Sequence, residues 1–369
     1  MSTAAADEAV IIIGAGPAGL AAAETLSKRN LDYVLLEKGP SVASALRRVD
    51  PEMRLLSPTA LSLMPDMKVE STAPSYLPFG QLVQELERYE EQHGLKAIFD
   101  STVRSVQRWT NGFTVRYVTK AGREYSIRGS HVINATGIIS KPRLPENFAP
   151  TSTTIRWMHS IDARAEHLAG ARRLLVVGGG ASAAEVLENW LRVRPKDSRA
   201  WLSLRSRLRV VPHWILGIDV HYFVWLPEQI PTRLFGRRVN RLTEPMTGCT
   251  VVKAMHRGLI ERMPAARSYQ DATVEFDDGR SVQPDLLVFA TGFSYAAEHL
   301  KEVVYFDSGG RPLVSKCEST RTPGVFLLGV RFGRTFASPY LRGIARDAEY
   351  VAKKILATKR HNIYESGSC

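Results

Sequence analysis

The chain is poor in cysteine, and what cysteine it has is arranged for nothing. Cys249, Cys317 and Cys369 are the only three in 369 residues, they lie far apart, and no C-x-x-C occurs. This excludes a dithiol that takes electrons from a neighbouring group, and it excludes a zinc knuckle. A reducing cytoplasm is the expected compartment. The nine histidines are scattered with no H-x-x-x-H pair, so no metal is expected. No apolar run is long enough to cross a bilayer, and the start, with Asp7 and Glu8 and no basic region before them, is not that of a signal peptide; no integral membrane segment is expected. Acidic residues are outnumbered 37 to 49 by lysine and arginine, a net charge of +12. Much of the excess lies in Arg199 to Arg209 and at Arg233, Arg237, Arg238 and Arg241. No recognition helix, aromatic stacking sheet or zinc module accompanies these arginines, so no nucleic-acid partner is expected. Attraction for phosphorylated cofactors and acidic metabolites accounts for them, as does a solvated basic face.

What is present is a pair of glycine-rich turns, each directly after an apolar run: VIIIGAGPAGLAAA from Val10 and LLVVGGGASAAEV from Leu174. Gly14, Gly16 and Gly19, with Pro17 and Ala18 between them, have the G-x-G-x-x-G spacing; Gly178, Gly180 and Ala183, with Ala181 and Ser182, have G-x-G-x-x-A. A buried strand that turns sharply into a helix needs a glycine at the turn, a second where a pyrophosphate approaches, and a small residue where helix meets strand. Glycines that merely close such a turn in a ligand-free core would look the same at a single site. Here the first turn is followed by a further strand, Tyr33 to Leu36, ending in Glu37 and Lys38, and Glu37 lies 18 residues beyond Gly19. That is about the distance at which an acid reaches a ribose hydroxyl pair. Two such turns in series imply two dinucleotides held face to face.

Between them, Gly39 to Pro78 has turns at Pro51, Pro58, Pro65, Pro74 and Pro78 and predicts no long helix; a stretch of this kind is usually functional. Gln81 to His93 predicts an amphipathic helix, and Ala97–Phe99, Val103–Arg108, Gly112–Thr119 and Glu124–Arg128 predict an antiparallel meander. Two strands end in Ala-Thr-Gly, one at Ala135, Thr136 and Gly137 and one, LLVFATGF, that contains Thr291 and Gly292. The second of these is expected to return the chain to the first domain, with hinges near Pro142–Pro150 and Ser281–Pro284. The fold class is α/β: two Rossmann-like, three-layer dinucleotide-binding domains, one inserted in the other, with a small antiparallel meander. Expected boundaries are 1–147 with 284–369 for the outer domain and 148–283 for the inserted one.

The ordered motifs GAGPAGL, LEK, RLLSPTALSLMPDM, NATGIISKPRLP, VVGGGASAAEV, SLRSRLRVVP and PDLLVFATGF resemble the two-dinucleotide-binding-domain flavoproteins, and within them the flavin-containing monooxygenase and YUCCA-like group. The resemblance covers nearly the whole chain. It implies that Gly14, Gly16, Gly19 and Glu37 hold the adenosine half of FAD, with Val103 and Ala135 to Gly137 closing over it and Gly329 near the isoalloxazine. It implies that Gly178, Gly180 and Ser182 hold the pyrophosphate of NADP. Arg205, Ser206 and Arg207 follow the next strand with no acid among them, a set suited to a 2′-phosphate, although surface arginines at a strand end would look alike. Arg47, Tyr340 and Arg342 are candidates near the flavin.

The implied reaction is hydride transfer from NADPH to flavin, addition of dioxygen to give a flavin hydroperoxide, and transfer of one oxygen atom to a small organic substrate. The chain departs from the group in several places. The signature F-x-G-x-x-x-H is reduced to His159 and Ser160, with Thr153 and Ile155 at its phenylalanine and glycine; Leu46 stands where tryptophan is usual, although Arg47 remains; Pro58 stands where animal-type members have asparagine. A plain NADPH-dependent flavin reductase or dehydrogenase is the alternative, and a flavin-loaded regulatory protein is a third reading. The aromatic run Trp214 to Leu234 reads as a substrate lid, a partner groove, a membrane-facing patch or ordinary core. Self-association is left open.

Overall fold

The computed structural model describes residues 8–70, 72–232 and 246–366. Arg233, Leu234, Arg237, Arg238, Arg241 and Cys369, together with the residues before Glu8, lie outside that set.

The first sheet is built on Val10–Ile13, which pairs in parallel with Tyr33–Leu36 on one side and His131–Asn134 on the other, Val10 opposite both Tyr33 and His131. All four residues of the central strand are apolar because both faces of the sheet are covered. Side chains alternate across a strand, so Val10 and Ile12 join a core with the helices Pro17–Ser27 and Leu341–Ser366, while Ile11 and Ile13 join one with the meander Ser101–Trp109, Gly112–Thr119 and Glu124–Gly129. Val325–Leu327 adds a further parallel strand beside His131–Asn134.

The second sheet runs in the order Ile260–Met263, Arg199–Ser203, Arg173–Val177, Leu286–Phe289, Arg156–His159, and every neighbouring pair is parallel. This corrects one expectation. Leu286–Phe289 does not return the chain to the first sheet; it lies inside the second, with Leu174 opposite Leu286 and Val177 opposite Phe289. The boundary drawn at residue 284 therefore falls before a strand of the inserted domain. Nor is Ser281–Val282 a hinge, since it pairs with Thr273–Phe276 in a small antiparallel sheet. The two crossings between domains run side by side where Phe293–Ser294 pairs with Lys141–Pro142. Four consecutive apolar residues fit an interior parallel strand of either sheet, which is why the pattern alone assigned this one wrongly.

The proline-rich stretch after Gly39 forms two single 3₁₀ turns, Leu46–Arg48 and Thr59–Leu61, and braces the inserted domain. Asp50, buried, accepts hydrogen bonds from Ala165 N at 2.7 Å and Asn189 Nδ2 at 3.1 Å. Arg48 pairs with Asp162 at 2.8 Å.

Packing in the first domain also makes stability depend on pH. Burial pushes the His131 imidazole from 6.5 down to about 4, and burial does the same to His299. Both rings are held neutral in the native state, so between 6.5 and about 4 the unfolded chain binds protons that the folded chain does not. Stability is unaffected above this window and falls as pH drops through it, by roughly 3 kcal/mol for a fully buried histidine shifted that far. Urea midpoints measured at about pH 7 and about pH 4.5 check this; His131→Gln should flatten part of the acid loss, and an unchanged slope in that variant would count against it.

Candidate functional site

Gly14 leaves the sheet while still tied to it, its amide donating to Leu36 O at 2.7 Å. Its φ of +104° favours glycine, and a Cβ there would lie 2.8 Å from Ala135 O. Gly19 packs so closely under the turn that a Cβ would come within 1.8 Å of Gly14 O. Gly16 is different: its φ is −81°, and nothing lies within 4 Å of a Cβ placed on it. What lies in front of it is open cavity. Gly16 also caps the helix Pro17–Ser27 without any side-chain hydrogen bond, with Pro17 in the first turn, so the remaining first-turn amides are left for a ligand. Glu37, buried at the end of the next strand, accepts from Ala15 N at 2.7 Å and Gly39 N at 2.8 Å.

The second turn repeats this construction. Gly178 N donates to Ser203 O at 3.0 Å, as Gly14 N does to Leu36 O, and Gly178 has φ +130° with a Cβ position 2.1 Å from Ala290 O. Ala290 N donates to Val177 O and Ala135 N to Ile13 O, both at 2.8 Å. Each glycine turn is thus backed by its own Ala-Thr-Gly. Gly180 caps the helix Ala181–Val193, again without a side-chain bond, and Ala183 is fully buried against its core. Arg205, Ser206 and Arg207 are exposed just past the end of Arg199–Ser203, and neither guanidinium has an ion pair or hydrogen bond among the described residues.

A cavity of about 900 Å³ runs from the first turn, past Glu37, Lys38, Val103 and Ala135 to Gly137, to Gly329 and the start of the helix Leu341–Ser366. Gly329 has φ +66°, and a Cβ on it would lie 3.2 Å from Ala18 Cβ, which keeps the end of the last strand close under the first helix. Val220, His221, Val224 and Glu228 line a further side. They come from one segment, residues 213–232, that is pinned at both ends. At one end Asp219, buried, accepts from Tyr76 Oη, from His213 Nε2 at 2.9 Å, and from His221 N and Nδ1 at 2.8 Å. Burial works against its charge, and the hydrogen bonds from Tyr76 and His221 outweigh it and hold the carboxyl below its ordinary value. At the other end Arg342 forms a bidentate pair with Glu228, Nε to Oε2 at 2.7 Å and Nη2 to Oε1 at 2.8 Å, with its guanidinium 4.4 Å from the centre of the Tyr340 ring. The Arg342 and Glu228 side chains are only 8% and 15% exposed. Removing one partner strands a buried charge: Arg342→Met should cost about 3–5 kcal/mol in urea denaturation, and adding Glu228→Gln should recover most of it.

A sequence profile of the family described as pyridine nucleotide-disulphide oxidoreductase matches residues 11–194, a span that takes in both glycine turns. Among the relatives, a probable indole-3-pyruvate monooxygenase, YUCCA9 of Arabidopsis thaliana, is 28% identical over 335 residues, 82% of this chain and 79% of the relative. An uncharacterized oxidoreductase, CzcO-like, of Geobacillus kaustophilus is 24% identical over 94% of this chain and 98% of its own length. Residues 11–194 thus carry a pyridine nucleotide-disulphide oxidoreductase domain, and over most of its length the chain is similar to the YUCCA monooxygenases. Its fold is shared with the flavin-containing monooxygenase from Stenotrophomonas maltophilia (TM-score 0.74, 24% identity, 95% of this chain and 98% of that one) and with the bacillithiol disulfide reductase from Bacillus cereus (TM-score 0.73, 18% identity, 95% and 99%). The fold alone does not separate the two reactions.

Gly14, Gly16, Pro17, Ala18, Glu37, Lys38, Val103, Ala135, Thr136, Gly137, Ala181, Gly329, Tyr340 and Arg342 line the one cavity, and Gly19 supports it from behind. Gly178, Gly180, Ser182 and Arg205 to Arg207 lie at the second turn and do not line it. Arg47 does not line it either; it pairs with Glu87, and its Nε donates to Val42 O at 3.3 Å. Thr291 and Gly292 sit at the domain crossing: Arg143 Nη2 donates to Thr291 O at 2.9 Å, and His159 Nε2 lies 3.0 Å from Gly292 O. His159 is not a linker residue: it ends the strand Arg156–His159 of the second sheet, opposite Phe289, and burial depresses its pKa.

Sequence reasoning missed Glu228, Asp219 and His299. His299 lines the cavity and bonds Asn134 Oδ1 at 2.9 Å, and Asn134 Nδ2 in turn donates to Thr136 Oγ1 at 3.1 Å. Ligand atoms of His213, Asp219 and His221 lie within 4.8 Å of one another, a grouping that no helical spacing announces. Their hydrogen bonds are already committed to one another and to Tyr76, which makes the group a pin. The aromatic run from Trp214 joins no core cluster and is largely exposed on its outer side.

Proposed function

We propose that this protein is an FAD- and NADPH-dependent monooxygenase that transfers one oxygen atom from dioxygen to a small organic substrate. The observation that carries the reading is the cavity itself, continuous from the open space before Gly16 to Tyr340 and Arg342 and closed along one side by the pinned segment 213–232. The residues present suit FAD: an uncapped helix N-terminus behind a glycine with room for phosphate, a buried carboxylate, Glu37, on the same cavity wall, and a volume at the upper end of ligand sites. They suit NADPH through the second turn and the uncommitted Arg205 and Arg207. A bound flavin supplies hydride acceptance from NADPH and activation of dioxygen.

The chain's own contribution is binding, orientation and exclusion of water. Gly16 and the amides of the first helical turn would hold the pyrophosphate, and Glu37 would accept from the ribose hydroxyls. His299, held neutral by burial, donates to Asn134 and so fixes Thr136 on the cavity wall. Arg342 is held against Tyr340 by Glu228, and the same pair closes the segment that keeps solvent from the reacting end. The shortage of paired thiols is consistent with a cytoplasmic setting, and among the described residues no helix is long and apolar enough to cross a membrane.

Turnover with isotopically heavy dioxygen and NADPH, read by mass spectrometry, tests the reading. Label in the product is expected. NADPH oxidation that depends on an added quinone or imine acceptor and yields unlabelled product would make the protein a reductase instead.

A further inference from the structure

Most of the large apolar side chains exposed among the described residues fall in one run, Trp214 to Ile230. At its head is the hairpin Trp214–Ile215 and Ile218–Asp219, whose two-residue turn is Leu216-Gly217. Leu216 has φ +51° and is 96% exposed, and Gly217 has φ +79°. A leucine in the left-handed region is disfavoured by its own backbone, and one with no protein neighbours gains nothing from the folded core. Trp214 in the same hairpin, and Tyr222, Phe223 and Leu226 in the helix that follows it and at its end, are also exposed. The hairpin and the six-residue helix Val220–Trp225 are far too short to span a bilayer, so whatever they enter, they enter only at its surface.

We infer that this face docks on an anionic lipid surface. Charge chooses that occupant. The only acids in the run, Asp219 and Glu228, are tied up by Tyr76, His213, His221 and Arg342, so neither offsets the arginines around it. Arg209 is exposed just before the hairpin, and the exposed Arg346 lies 6.0 Å from the centre of the Trp225 ring. Tryptophan and tyrosine at the headgroup level, leucine below them and arginine alongside is the pattern of an interfacial anchor. A second copy of the chain would set the same +12 charge and the same arginines against themselves. The inference does not depend on the oxygenation reading, since it concerns the outer face of the segment whose inner face lines the cavity.

Flotation of the full chain with phosphatidylcholine vesicles, with and without phosphatidylserine, tests it. Wild type should float with the phosphatidylserine vesicles far more than with phosphatidylcholine alone, and salt should release it. Leu216→Asp and Leu226→Asp should each reduce the bound fraction about tenfold. Because Leu216 touches almost nothing, Leu216→Asp should keep the wild-type circular dichroism and melting temperature. Absence of wild-type binding, equal binding to both vesicles, or undiminished binding of Leu216→Asp would overturn the inference. So would a concentration-dependent dimer in sedimentation that Leu216→Asp abolishes while vesicles leave the protein in solution.

Discussion

Gly16→Val should yield a folded protein that purifies without its yellow colour. The backbone at Gly16 has φ −81°, which valine adopts freely, and no atom lies within 4 Å of the added Cβ. The new side chain therefore costs the fold little beyond a less favourable helix cap, about 1 kcal/mol. It fills the space where a pyrophosphate approaches the helix amides, so flavin occupancy should fall to less than about a tenth of wild type. The neighbouring glycines provide the contrast. At Gly14 the added Cβ meets Ala135 O at 2.8 Å with φ +104°, and at Gly19 it meets Gly14 O at 1.8 Å. Valine at either should lose the folded protein itself, because the obstacle is backbone and cannot yield. Visible absorbance against far-ultraviolet circular dichroism separates the two outcomes. A well-folded Gly16→Val that retains near-stoichiometric flavin would show that the cofactor does not lie over this turn.

Arg205→Ala combined with Arg207→Ala should raise the KM for NADPH by on the order of a hundredfold while changing that for NADH less than about threefold. Each charge-assisted hydrogen bond to a phosphate contributes about 1.5–3 kcal/mol, and exposure of the site to solvent argues for the lower end. No ion pair is broken by the substitutions among the described residues, so the fold should be indifferent to them. The ratio of kcat/KM for the two cofactors is the quantity to measure. Equal losses for NADPH and NADH would remove the 2′-phosphate from the assignment and leave the arginines as a solvated face.

Much of the architecture was legible from residues in order. Tyr33–Leu36, the helix after Pro78 and the three meander strands stand within a few residues of where their periodicity placed them, since each is set by contacts with its immediate neighbours. The strand Arg156–His159 was not seen, because RWMH carries neither alternation nor an unbroken apolar run. Its place at the edge of the second sheet comes from pairing with Leu286–Phe289, more than a hundred residues away.

By itself the sequence determined the two glycine turns and Glu37, because a turn from strand to helix constrains its own few residues through backbone conformation and close approach. Tertiary structure alone decided which Ala-Thr-Gly stands behind which turn, since two apolar strands of the same length and pattern are distinguished only by the partner whose register they share. It alone joined Glu228 to Arg342 and Asp219 to Tyr76, separated by 114 and 143 residues. No local pattern can encode pairs so far apart; they form because laying the inner side of segment 213–232 over the cavity removes most of the water from each carboxylate and leaves it one set of donors.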